Sequence, residues 1–255
     1  MYKISNFSDN NDIRTISELG PFKVIEYLRD LSVTPETAQI CYFSNLMNVR
    51  KRQVICNLAI SSITVQAGAM QWMVGNVNAT TGIKGVGDLF SKAVRGKVTG
   101  ESAIKPEYTG NGLMVLEPTY KHILLLNLED WNDSIVLDDG LFLACEAKLQ
   151  QKAVMRSNIS SAVAGNEGLF NLGVQGKGIL CLESPCPKEE LIEIELQNDV
   201  VKIDGNMAIA WSGSLDFTVE RSGKSLVGSA ASSEGLVNVF RGTGKVLLAP
   251  INKIQ

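Results

Sequence analysis

Histidine is almost missing from this chain: His122 is the only one among 255 residues. No His-x-x-x-His zinc site can form, and a Ser–His or Cys–His pair has one possible base. Beside Lys121 and ahead of an apolar strand, His122 reads as structural or solvent-facing, not as a ligand or general base. Paired cysteines are missing too. Cys41, Cys56, Cys145, Cys181 and Cys186 are odd in number and scattered, with no C-x-x-C, which fits buried free thiols in a reducing cytosol. No run reaches the roughly 18 apolar residues of a membrane span. Residues 1–20 carry Asp9, Asp12 and Glu18 where a signal or transit peptide would be apolar or Arg-rich. Basic charge is not in excess: the net charge is -3 and the pI near 5.4, so nothing draws in nucleic acid or anionic lipid. The one basic run, Arg50-Lys51-Arg52, reads as a solvated turn or strand end. The expectation is a cytoplasmic protein without a transmembrane segment, for which nucleic acid is not an expected partner.

Catalytic signatures are absent as well. There is no Gly-x-Ser-x-Gly elbow. Gly223-Lys224-Ser225 ends like a phosphate loop, but Thr218 stands where its first glycine belongs. Arg241-Gly242-Thr243-Gly244-Lys245 feeds an apolar strand instead of a helix, and residues 82–87 lack nucleotide-loop spacing. No cofactor and no enzyme activity are expected.

What the chain does have is glycine in a repeating pattern. Gly110-Asn111-Gly112, Gly176-Lys177-Gly178 and Gly242-Thr243-Gly244 recur at intervals of 66 residues. Each pair follows a glutamate by 8 or 9 residues: Glu101, Glu167 and Glu234, the last followed by Gly235. Each is succeeded by an apolar run, at residues 113–116, 179–182 and 246–249, of the kind found in strands buried on both faces. Upstream, Gly68, Gly140 and Gly205 sit between β-formers, the last two as Asp-Gly, which predicts three hairpins. The G-x-G elements are expected to be tight turns. In residues 190–196, Ile192, Ile194 and Leu196 alternate with glutamates, as in a half-buried strand.

Short helices are expected at residues 88–95, behind an Asp88 cap, and as turns at 160–164 and 224–231. Residues 1–20 are polar and expected to be loosely ordered; 22–30 and 39–47 are candidate strands or a short helix, separated by Pro35. The reading is all-β: three tandem β-sandwich or double-stranded β-helix-like modules with pseudo-threefold symmetry and a few short helices. Residues 1–45 form an N-terminal extension and 46–255 one repeat domain, with modules near 52–128, 129–196 and 197–250.

Three residue sets invite a functional reading. Glu101, Glu167 and Glu234 could ring a pseudo-threefold axis and hold a cation; the simpler reading has each accepting backbone N–H groups at its own turn, and no metal is expected. Trp72, Trp131 and Trp211 could form a ligand platform, but Trp72 and Trp211 follow their Gly turns similarly, which favours packing. Gly68, Gly110, Gly112, Gly140, Gly176, Gly178, Gly205, Gly235, Gly242 and Gly244 read as a structural signature of backbone requirements.

Ser232-Ser233-Glu234-Gly235-Leu236-Val237-Asn238-Val239-Phe240-Arg241-Gly242-Thr243-Gly244-Lys245-Val246 resembles the signature of the altered-inheritance-of-mitochondria family of mitochondrial biogenesis proteins, with support from residues 66–70, 138–144 and 204–211. The likeness spans roughly residues 50–250. It implies a fold like that of the tryptophan RNA-binding attenuation protein repeated within the chain, a homotrimer, and no assigned catalytic residues. The leading reading is a non-catalytic homotrimeric β-scaffold for an unidentified macromolecular partner. The alternatives are a ligand- or RNA-binding module, by analogy with the attenuation-protein fold, and a small-molecule enzyme.

Overall fold

A computed structural model describes residues 2–81, 105–155, 170–221 and 236–250. Glu101, Glu167, Glu234, Gly235 and the three expected short helices lie outside the described residues. The described chain is all-β, arranged as two antiparallel sheets. The nine-stranded sheet runs β1 (Ile13–Leu19), β2 (Phe22–Tyr27), β3 (Arg52–Asn57), β6 (Glu107–Leu116), β4 (Ile63–Val65), β9 (Phe142–Glu146), β12 (Ile179–Ser184), β7 (His122–Asn127), with β5 (Met70–Thr80) also paired to β6. The seven-stranded sheet runs β10 (Gln150–Met155), β11 (Phe170–Gln175), β8 (Ser134–Leu137), β14 (Ala208–Ser212), β16 (Leu236–Leu248), β13 (Ile192–Asp204), with β15 (Asp216–Arg221) also on β16.

Continuous apolar runs become doubly covered strands, as their composition dictates. All five residues of β9 and of β14 are buried. Three hydrophobic clusters result, one around Phe22, Val54 and Met114, one around Leu128, Leu137 and Leu180, and one around Leu196, Trp211 and Phe240.

The expected hairpins do not form. Gly68, Gly140 and Gly205 do adopt positive φ (82°, 74° and 61°), but the strands either side of each turn are not paired with each other. The reason is edge occupancy: β8 is flanked by β11 and β14, and β9 by β12 and β4, so neither has an edge left for the other. The chain crosses between sheets at Gly140 instead.

The G-x-G elements differ from expectation too. β6 runs unbroken through Gly110 and Gly112, and β16 through Gly242 and Gly244; only Gly176 to Gly178 separates two strands, β11 and β12. At all three the strand exchanges neighbours. β6 pairs with β4 before the glycines and with β3 after them. β11 lies between β10 and β8, whereas β12 lies between β9 and β7. β16 holds β15 with its first half and β14 with its last residues. Close approach explains the residue type in β6: a Cβ on Gly110 would stand 2.1 Å from the Asn76 carbonyl oxygen, and one on Gly112 2.2 Å from that of Val74.

Residues 1–20 are not loose throughout. Arg14, Thr15 and Glu18 read as polar, yet β1 zips onto β2 from Ile13↔Tyr27 to Leu19↔Phe22, and β2 onto β3, so this segment extends the first sheet. Pro35 does separate the two segments, and it also opens a helix. It occupies the first position of α1 (Pro35–Leu46), where its missing N–H costs nothing. The Thr37 hydroxyl accepts from the Thr34 N–H at 3.1 Å, and Asn48, at φ 64°, turns the chain out of the helix.

Candidate functional site

The one α-helix among the described residues, α1, has no buried residue among its twelve. Ala38, Cys41, Ser44 and Asn45, at helical spacing, face the sheet and are half-buried. On the other faces Ile40 is 69%, Phe43 56%, and Met47, just past the helix, 78% exposed. Leu31, Tyr42, Leu46 and Tyr120, which line one cavity, are exposed as well. Beneath lies a cavity of about 660 Å³, walled by Leu31, Val33, Tyr42, Leu46 and Val49 and rimmed by Asp12, Arg29, Asp30 and Lys51. A large exposed apolar patch with a charged rim marks a binding surface in soluble proteins.

Polar contacts at one end hold the helix over this cavity. The Asn45 amide donates to the Leu28 carbonyl at 2.8 Å, and Arg50 Nε donates to Asn45 Oδ1 at 3.0 Å. Behind Arg50 is a buried charge cluster. Glu26 Oε1 takes Arg14 Nη2 at 2.8 Å and Arg50 Nη1 at 3.0 Å, while Oε2 takes Arg52 Nη2 at 2.8 Å. The side chains of Glu26 and Arg52 are 3% and 2% exposed. Burial raises the Glu26 pKa, but hydrogen bonds from Arg50 and Arg14 and the charge of Arg52 outweigh it and leave the carboxyl below its ordinary value. Arg52 is further satisfied by Asn48 Oδ1 at 2.8 Å. The basic run is thus a strand end, as one of its two readings had it, but not a solvated one: Arg50 and Lys51 line the cavity, and buried Arg52 opens β3. The sequence signals were faint: Arg50 and Arg52 alternate, and Thr34-Pro35-Glu36 marks a helix start but not the helix's length.

The other candidates fall elsewhere. His122 opens β7, half-buried, its pKa lowered first by burial and then by the charge of Arg52. Trp131 and Trp211 are buried; Trp211 packs on Phe240 and Phe217, with ring centroids 5.2 Å apart in both pairs. Trp72, half-buried, meets Phe7 edge-on, and the registers set it opposite Val115, one step out of phase with Trp211 opposite Val246. No shared platform results. Among the described residues, no group of three His, Cys, Asp or Glu side chains converges as a metal site, and no helix is long and apolar enough to cross a membrane.

Four thiols are buried and hard to ionise. Burial pushes Cys145 up to about 12, and also raises Cys56, Cys181 and Cys186. Cys41 alone is only half-buried and lines the cavity. Native protein treated with iodoacetamide near pH 8 is therefore expected to take up about one equivalent, mapped to Cys41 by peptide mass, against all five thiols after unfolding. Labelling at Cys145 or Cys181 in native protein would contradict this packing.

A family model described as mitochondrial biogenesis AIM24 matches residues 45–251. An uncharacterized protein of Streptococcus pyogenes serotype M6 is 31% identical over 202 residues, 76% of this chain and 79% of that one. An X-ray crystal structure of a Streptococcus pyogenes protein, a structural-genomics target, superposes with a TM-score of 0.59 at 28% identity, covering 81% of this chain and 90% of the other.

Proposed function

We propose, since the chain belongs to the mitochondrial biogenesis AIM24 family, that it is a non-catalytic β-scaffold, homotrimeric and cytoplasmic, that docks a macromolecular partner on α1. The observation that carries this reading is the helix itself, twelve residues with none buried and Ile40 and Phe43 turned outward. A protein with an apolar surface is the partner such a face suits. Raised thiol pKa values and a lone half-buried histidine favour binding over catalysis.

The scaffold is read as three like units, each resembling the attenuation-protein fold. Hydrogen bonds whose donors are spaced by 66 residues support this: Glu117 N–H to Ala69 O at 2.7 Å, Glu183 N–H to Leu141 O at 2.8 Å, and Ala249 N–H to Met207 O at 2.8 Å. Each ties the end of an exchanging strand to the residue one or two past its unit's Gly turn. The homotrimer rests on the family resemblance.

The test is an Ile40→Ser/Phe43→Ser variant compared with wild type in quantitative pull-down from the native cell. Because these side chains bury little, the melting temperature should stay within about 2 °C. Recovery of the bound partner should fall about tenfold or more, the loss of two apolar anchors. An unchanged set of captured proteins would sink the α1 reading, and a monomer mass in solution would sink the trimer.

A further inference from the structure

We infer that the free edges of β13 and β5 are the two halves of one contact, by which copies of this chain join head to tail. This rests on the three-unit reading above and adds where the copies meet. Two junctions of one kind are present within the chain. In the first, β4 pairs antiparallel with β9: Ile63↔Glu146, Thr64↔Cys145 and Val65↔Ala144. It is flanked by Gln66 N–H to Leu143 O at 2.8 Å and Ala147 N–H to Ser62 O at 2.8 Å. In the second, β8 pairs with β14: Ile135↔Ser212, Val136↔Trp211 and Leu137↔Ala210. Asp138 N–H to Ile209 O at 2.9 Å and Gly213 N–H to Ser134 O at 3.0 Å flank it.

In each, the strand before one unit's Gly turn pairs with the strand after the next unit's turn. Registers inside the units align the positions. Val65, Leu137 and Ile203 correspond through their partners near Pro106, Leu172 and Asn238. Met73, Cys145 and Trp211 correspond through Met114, Leu180 and Val246.

The third junction would therefore set Val201 opposite Val74, Lys202 opposite Met73 and Ile203 opposite Trp72. Asp204 N–H would reach Gln71 O, and Gly75 N–H would reach Val200 O. Among the described residues this junction is not made: β13 pairs only with β16, and β5 only with β6, so each offers an edge that no described strand covers. Met73 is 42% and Val200 44% exposed on those edges, large apolar residues at the positions a junction covers. The two edges differ from each other, so the contact is heterologous and closes into a ring or continues as a chain. Backbone hydrogen bonds of strand addition supply the attachment, and alternate side chains fix its register.

Charge swapping tests the contact. Met73→Lys places a lysine opposite Lys202 of the next copy, and like charges directly opposite repel. Light-scattering mass at about micromolar concentration should show an oligomer for wild type and monomer for Met73→Lys. The Met73→Lys/Lys202→Glu double variant, with opposite charges facing, should regain the oligomer. Both sites are exposed strand-edge positions, and a circular dichroism melt of each variant verifies that the fold is kept. A wild-type oligomer that Met73→Lys leaves intact overturns the edge contact while the trimer stands. So does a well-folded double variant that stays monomeric. A monomeric wild type overturns both.

Discussion

A Gly110→Val variant will not accumulate as folded protein. Gly110 holds φ at 124°, a region closed to valine, and a Cβ there would sit 2.1 Å from the Asn76 carbonyl oxygen and 3.1 Å from its carbon. Neither atom can retreat, because both belong to the β5 backbone, which pairs with β6 across this point from Met70↔Leu116 to Thr80↔Glu107. Backbone strain of about 1–3 kcal/mol adds to about 1–3 kcal/mol or more of overpacking. Their sum is a large part of the roughly 5–15 kcal/mol that holds a domain together. Gly68→Ala is the control: φ is 82°, but a Cβ would meet nothing within 4 Å, so only the left-handed penalty of about 1–2 kcal/mol applies. Soluble yield and thermal melts of the two variants decide the matter. Equal melting temperatures would show that the β5–β6 approach is not tight.

Removing the Glu26 carboxylate is expected to cost about 3–5 kcal/mol, the usual consequence of leaving buried charge without its partner. Glu26→Gln keeps the shape but leaves Arg14, Arg50 and Arg52 facing one another. The same group sets an acid limit. Its folded pKa lies below the ordinary 4.5, so its contribution is complete above about pH 4.5 and fades as pH falls through the folded value. Urea unfolding at neutral pH should separate wild type from Glu26→Gln by the full amount, and the gap should narrow below pH 4.5. A gap that stays constant down to pH 3 would mean that the carboxylate is not what distinguishes them. Because Arg50 also holds Asn45, hydrogen exchange in α1 should quicken in the variant.

Much of the fold was legible because its strands are written as apolar runs. Residues 113–116 and 179–182 fall inside β6 and β12, and the run 246–249 inside β16 but for Ala249, where periodicity and turn residues place them. Pairing was not legible. An Asp-Gly turn such as Asp139-Gly140 specifies positive φ, but whether its flanks face each other depends on which other strands claim their edges, a fact spread over the chain. β1 was hidden because a two-stranded extension at a sheet edge needs little apolar content. The charge cluster was hidden because Arg14, Glu26 and Arg52 meet only through strand register. α1 shows no amphipathic stripe, since its inward face, Ala38, Cys41, Ser44 and Asn45, is small or polar and only half-buried. The trait that obscured the helix in the sequence is the one that marks it as a surface.

Neighbour exchange also sets a tempo. β3 must wait for the second half of β6, with Asn57 meeting Leu113, and β4 meets both β6 and β9. β14 has β8 on one side long before β16 emerges to occupy the other. Few of these contacts are local, and non-local β pairing folds in milliseconds to seconds, not microseconds. During synthesis the nascent protein therefore carries a growing half-built sheet until residue 248 has left the ribosome. Chaperone dependence, or a yield that improves when translation is slowed, follows from the order in which these strands are born.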